Sequence, residues 1–280
     1  MPTIIVLGSV NLDFVASVER LPIPGETVTG ARLARFPGGK GANQALAARR
    51  LGAEVRLVAC VGKDSAADEA LALLRAGGVD LTACCADERA ATGVALIAVA
   101  ESGENQIVVA PGANRCLMPE SLRLGEADAL ICQLEVPAPT IVSAASTFTG
   151  FFCVNLAPAM EIDASVIRRA DLIVVNESEA AWYGSSLNAC PGIVAKTSGV
   201  NGATLIQNGQ VVATAKPPVV RAVDTTAAGD AFTAAMTLAL VEGQSPRDAL
   251  AFACAAGAAA ATKMGAQTSL PTREEVVRLM

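Results

Sequence analysis

The sequence has no histidine. That removes the usual base of serine and cysteine triads and the commonest zinc ligand, so acid–base work falls to carboxylates, lysine or the single tyrosine, Tyr183. Aromatic residues are scarce at 3%, which leaves little surface for stacking a nucleoside base. The chain also lacks any Lys/Arg cluster and has a net charge of −6, so it carries no phosphate-neutralising stripe. Nucleic acid is excluded as a partner, and small molecules are expected. No apolar run is long enough to span a bilayer without a charge or glycine, and Met1-Pro2-Thr3 leads into Ile4-Ile5-Val6-Leu7 with no basic stretch or cleavage site. No membrane partner and a cytoplasmic location are therefore expected. Cys60, Cys84, Cys85, Cys116, Cys132, Cys153, Cys190 and Cys254 include no Cys-x-x-Cys pair and read as buried small apolar residues in a reducing compartment.

What is present is a chain of 280 residues, 52% apolar, without a low-complexity linker, consistent with one domain over 1–280. Its central stretch is Asp224-Thr225-Thr226-Ala227-Ala228-Gly229-Asp230, running into the apolar segment 231–240. Small residues feeding a helix start can bring bare backbone amides against an anion, and Asp230 in the first turn could accept a proton from an attacking hydroxyl. The alternative is a tight turn in which Gly229 relieves crowding and Asp230 caps the helix.

Thr3–Gly8 reads as a buried strand ending in Gly8-Ser9-Val10-Asn11-Leu12-Asp13. If extended, Asn11 and Asp13 face the same side and suit a polyol, with an Asx-turn as the alternative. Phe14–Phe36 breaks the α/β rhythm, and Thr92–Ala100 with Asn105–Ala110 forms a hairpin-like unit, so the two are expected to make a small sheet outside the main one. Between them, Pro37-Gly38-Gly39-Lys40-Gly41-Ala42-Asn43-Gln44-Ala45 opens a helix in which Lys40 and Asn43 stand one turn apart, although a purely structural glycine turn remains open. From Glu54 onward strands and helices alternate, which predicts a mostly parallel sheet between helices. Strand ends at Glu135, at Asn155 and at Asn176 with Glu179 place polar groups on one edge, although any one of them alone could be a helix cap.

Together with Pro24-Gly25-Glu26-Thr27, Thr92-Gly93-Val94-Ala95, Gln133-Leu134-Glu135, Asn155-Leu156-Ala157-Pro158, Asn176-Glu177-Ser178-Glu179 and Gly265-Ala266-Gln267, these segments resemble the ribokinase-like (PfkB) carbohydrate kinase family over nearly the whole chain. The resemblance implies a three-layer α/β/α sandwich with a small β-sheet lid from about 14–36 and 92–110, and homodimerisation through that lid. It implies transfer of the γ-phosphoryl of ATP to a primary hydroxyl of a sugar with Mg²⁺, and activation by K⁺. By the same resemblance, Asn11, Asp13, Gly39, Lys40, Asn43 and Glu135 contact the sugar, Asp230 is the base, and Ala227, Ala228 and Gly229 form the anion hole. Asn176 and Glu179 are tied to Mg²⁺ and phosphate, Thr197 and Gly199 to the nucleotide, and Asp224, Thr226, Gly265 and Ser269 to the monovalent cation. D-ribose is the expected substrate, with deoxyribose, fructose or a nucleoside, or a sugar-binding pseudokinase, as alternatives. One departure stands out. Relatives usually carry two helices where 176–192 has room for one, and the strand end Val194–Gly199 is atypical, which puts the nucleotide contacts in doubt.

Overall fold

The structure, a computed structural model, describes all 280 residues. Strand β1 (Thr3–Leu7) shows why the chain layers as it does. All its apolar residues are buried, but Ile4 and Val6 join one core while Ile5 and Leu7 join another, so a continuous apolar run becomes a strand covered on both faces.

The strands that follow are β2 (Asn11–Val18), β3 (Arg32–Gly38), β4 (Glu54–Gly62), β5 (Cys84–Asp87), β6 (Gly93–Ala100), β7 (Asn105–Ala110), β8 (Ala129–Gln133), β9 (Phe151–Asn155), β10 (Leu172–Asn176), β11 (Ile193–Thr197), β12 (Ala203–Gln207) and β13 (Gln210–Ala215). Eight of them join β1 in one nine-stranded sheet in the order β13-β12-β11-β10-β9-β8-β1-β4-β5. Every pairing from β11 to β5 is parallel, while β12 pairs antiparallel with both neighbours. Order reverses between β1 and β8, and the C-terminal ends there open a crevice, the usual ligand position in such sheets.

Helices cover both faces. On one side lie α1 (Lys40–Arg50), α2 (Ser65–Ala76), α6 (Ala228–Val241) and α7 (Pro246–Ala260), over the larger core; on the other lie α3 (Ala138–Thr147), α4 (Ala164–Arg169) and α5 (Glu177–Tyr183). Short helices α8 (Ala266–Ser269) and α9 (Arg273–Val277) close the chain. Alanines along α6 and α7 bury against each other, and a Cβ at Gly257 would sit 3.1 Å from the Ala228 carbonyl, so these helices approach closely because their side chains are small.

The four remaining strands form a separate sheet, β3-β2-β6-β7. The expected excursions thus pair as one unit, although their strands begin at Asn11 and Gly93 and the stretch before Arg32 is irregular. Strand β5 and helix α4 had no counterpart in the sequence reading. No helix is long and apolar enough to cross a membrane. Five cysteines are buried as expected, but Cys85 is exposed and Cys84 and Cys116 are half-buried.

Candidate active site

The crevice is assembled by backbones that touch. A Cβ at Gly41 would stand 2.5 Å from the Gly8 carbonyl carbon and 2.6 Å from the Ser9 nitrogen, and one at Gly39 would meet the Asn11 nitrogen at 2.7 Å. Only glycine lets the start of α1 lie against the turn that leaves β1, and Gly39 has a φ of 90°, where a side chain would also be strained. The Ala42 amide then donates to the Ser9 carbonyl at 2.9 Å, locking α1 to that turn.

Beyond the turn, Asn11 and Asp13 occupy alternate positions of β2, so they share a face, and both are buried. Asn11 is oriented by Asn114, whose amide donates to Asn11 Oδ1 at 2.8 Å while its oxygen accepts from the Val10 amide at 2.9 Å. The Asp13 carboxylate takes no donor from the protein. Burial, with Glu135 and Asp230 nearby, pushes its carboxyl up to about 7.

Asp230 lies in the first turn of α6 with both oxygens held, by Asn43 Nδ2 at 2.8 Å and Gln44 Nε2 at 2.9 Å. The same Gln44 nitrogen donates to Asn155 Oδ1 at 3.1 Å, and Gln133 Nε2 donates to Gln44 Oε1 at 2.6 Å, so α1, α6, β8 and β9 meet in one buried polar network. Burial raises the Asp230 carboxyl above its ordinary value, with Lys40 and the two amides opposing. Burial by itself would lower the Lys40 ammonium, but Asp230, Glu135 and Glu179 together hold it above normal. Glu135 is fixed by the Ser9 hydroxyl and by the Lys40 backbone amide at 3.3 Å. At the loop before α6 the Ala228 amide closes on the Thr225 carbonyl at 3.1 Å, and the amides of Ala227 and Gly229 have no protein acceptor. Two of the three expected anion-hole amides are thus free.

Asn11, Asp13, Gly39, Lys40, Asn43, Glu135 and Asp230 are therefore brought together. Sequence reasoning assigned no role to Ser9, Gln44, Asn114 or Gln133, although all but Asn114 sit inside the recognised segments.

The remaining residues lie along the other rim. Asn176 and Glu179 form a reciprocal cap on α5, each side chain accepting the other's backbone amide at 2.8 Å. Burial raises the Glu179 carboxyl, with the Asn176 amide and Lys40 opposing. Its second oxygen takes no protein donor, and no grouping of three acidic or cysteine side chains exists that would hold an ion alone. That donor set fits a cation carried chiefly by phosphate oxygens and water. Thr197 ends β11 with its hydroxyl donating to the Val175 carbonyl at 3.3 Å, and Gly199 opens a short 3-10 turn with φ 52°. As the spacing predicted, only α5 and a 3-10 segment (Gly184–Ala189) fill the stretch before β11.

Asp224 clasps two segments, accepting from the Thr226 amide at 2.9 Å and the Thr226 hydroxyl on one oxygen, and from the Gly265 amide at 2.9 Å on the other. Ser269 is buried, its hydroxyl donating to the Ala266 carbonyl at 2.8 Å. A single carboxylate among backbone groups leaves lone pairs for a monovalent ion.

Residues 1–273 match the pfkB family carbohydrate kinase family. Ribokinase of Haemophilus influenzae is 38% identical over 301 aligned residues, covering 99% of this chain and 98% of that protein. The fold superposes on ribokinase of Thermotoga maritima with a TM-score of 0.91 at 33% identity, covering 100% and 99% of the two chains. It also superposes on Arabidopsis thaliana ribokinase complexed with ribose and ATP, with a TM-score of 0.88 at 28% identity and 99% and 98% coverage. With this match over almost its entire length, the chain belongs to the pfkB family of carbohydrate kinases.

Proposed function

We propose that this chain is an ATP-dependent kinase that phosphorylates the primary hydroxyl of D-ribose, giving ribose 5-phosphate. The observation that carries the reading is Asp230: a buried carboxylate at a helix start, oriented by two amides, beside two amides with no protein acceptor and a pocket of polyol-sized polar groups. The names of the similar proteins and the ribose and ATP in one of them support the substrate pair.

Asn11 and Asp13 on β2, Asn43 and Lys40 on α1, and Glu135 hold the sugar so that its hydroxyl faces Asp230. Asp230 orients that hydroxyl and takes its proton as the bond to phosphorus forms. The Ala227 and Gly229 amides and Lys40 stabilise charge on the transferred group. Glu179 and Asn176 would hold Mg²⁺, which would supply neutralisation of phosphate charge, and Thr197 and Gly199 border the nucleotide. Asp224, Thr226 and the Gly265–Ser269 turn would hold K⁺, whose charge would help order the loop that presents the amides. The small sheet acts as the lid. Its face shared with Asp13 carries exposed Ile107 and Val109, and the opposite face Leu33, Leu96 and Val108, an apolar surplus that a homodimer through the lid would cover.

ADP release measured over ribose, deoxyribose, fructose and a nucleoside tests the reading. The highest kcat/KM is expected with ribose. Saturable ribose binding without turnover of any sugar would instead establish a pseudokinase, and preference for another acceptor would displace ribose.

A further inference from the structure

Outside the crevice, the structure gathers three thiols at the free edge of the large sheet. Strands β4 and β5 pair in parallel with Cys60 directly opposite Cys85. Neighbouring strands lie about 4.7–4.9 Å apart, inside the 4.4–6.8 Å range of Cα separations that a disulfide spans. Residues in register share a face, and here it is the face of the smaller core, to which Cys60 belongs and against which Ala83, two residues before Cys85, also packs. Both thiols are free, and the Cys85 thiol donates to the Ala59 carbonyl, next to Cys60, at 3.5 Å. Cys60 is buried, whereas Cys85 is exposed and borders a cavity of about 390 Å³ with Leu117, Arg56 and Arg123. The third thiol, Cys116, is half-buried, and burial pushes it up, with Asp87 nearby adding to the effect.

We propose that Cys60 and Cys85 form an oxidation-sensitive pair that closes to a disulfide on exposure to a hydroperoxide, with Cys85 reacting first. Cys60 beside it holds the Cys85 thiol below its ordinary value, against the opposing effects of burial and Asp87, and Cys85 is the exposed member of the pair, so it is the thiol that meets a hydroperoxide as thiolate. That thiolate attacks the terminal peroxide oxygen, breaking the O–O bond and releasing hydroxide or an alkoxide as the sulfenic acid forms. Cys60, giving up its proton, attacks that sulfur, forms the S–S bond and releases water. The two thiols supply the two electrons that reduce the peroxide. The link pins edge strand β5 just before Asp87, whose carboxylate accepts the Arg89 and Ala90 amides, both at 2.8 Å, in the turn leading to β6.

The test uses the whole reduced protein and a few equivalents of hydrogen peroxide, followed by peptide mass mapping without reductant. A peptide pair joined through Cys60 and Cys85 is expected, with an intact mass lower by two hydrogens, reversal by dithiothreitol, and slower amide exchange across Cys84–Asp87 in the oxidised form. Cys85→Ser, a change at an exposed position, is expected to abolish the link. Cys60→Ala is expected to leave a Cys85 sulfenic acid that dimedone captures. Accumulation of sulfinic acid at Cys85 in the wild type, a link from Cys85 to Cys116 or to a second chain, or unchanged amide exchange in the linked form would each overturn the proposal.

Discussion

On the sugar side of the crevice, adding one carbon at Gly8, Gly39 or Gly41 drives it to within 3 Å of a neighbouring atom, and Asp230, Asn43, Gln44, Asn155 and Gln133 are tied into a single buried network. On the side proposed for the nucleotide, Gly184 and Gly199 have nothing within 4 Å of where a Cβ would stand, and the rim is a seven-residue helix followed by 3-10 turns. The first surface is prebuilt, its orientation set before any ligand arrives. The second rests on the Asn176–Glu179 cap and on short turns in which Gly184 and Gly199 face open space. Selectivity for the acceptor is expected to resist substitution far less than affinity for the nucleotide does.

The largest effect should come from the centre of the prebuilt side. Asp230→Asn is expected to lower kcat by about 10²–10⁴-fold while ribose affinity changes little, because an amide can orient the hydroxyl but cannot take its proton. Steady-state kinetics with sugar calorimetry checks it, and retention of more than about a tenth of kcat would move the base to another carboxylate. On the opposite rim, Glu179→Gln separates capping from metal holding. Glutamine also serves in a capping box, so stability should stay within about 0.5 kcal/mol of wild type. The kcat/KM for ATP should fall about 10–100-fold with the ribose KM unchanged; unaltered ATP kinetics would reduce Glu179 to a cap.

The glycines sharpen the contrast in stability. Gly41→Ala is expected to cost about 1–3 kcal/mol or more in denaturant unfolding, since backbone stands where the methyl must go. Gly199→Asn, at a left-handed position open to solvent, should stay within about 0.5 kcal/mol. Equal losses would erase the distinction between the two rims. A smaller, pH-dependent effect concerns Asp13. Its carboxyl titrates at about 7 in the folded chain against an ordinary 3.8, so the folded state holds more protons between those values. The stability this contributes is complete below about pH 4 and lost as pH rises through about 7. Asp13→Asn should therefore stabilise the ligand-free protein at pH 8 relative to wild type, by about 1–3 kcal/mol, while raising the ribose KM. Parallel melting curves at pH 5 and pH 8 read the difference.

Local chemistry made much of this legible in advance. Buried strands announce themselves as apolar runs such as Ile4–Leu7, the Asn208-Gly209 turn marks the β12–β13 hairpin, and Gly38-Gly39 before Lys40 signals backbone approach. Asn114 was not legible. It is separated from Asn11 by over a hundred residues, and only the pairing of β2 with β6, Asn11 opposite Gly93, brings the turn carrying Asn114 against it. The opposition of Cys60 and Cys85 was hidden for a related reason, since β5 is a four-residue edge strand whose register follows from its parallel neighbour rather than from its own pattern. The Asn-x-x-Glu spacing of Asn176 and Glu179 allowed a helix cap, and the reciprocal cap is what the structure forms.

The small sheet is not a separate cover hung over the crevice. Asn11 and Asp13 are among the first residues of β2, Gly38 is the last of β3, and the chain passes from each into the crevice floor within three residues, at Gly8–Val10 and Gly39–Lys40. If the sheet is the lid proposed above, any tilt of it would swing Asn11 and Asp13 along the same arc, with the crowded glycines as the fulcrum. Gripping and shutting are then one stroke, and so are loosening and opening: product cannot be relaxed in place and later uncovered. On that proposal the dwell time of the phosphorylated sugar would be governed by the stiffness of those few pivots, and a substitution there would alter turnover without touching a single reacting atom.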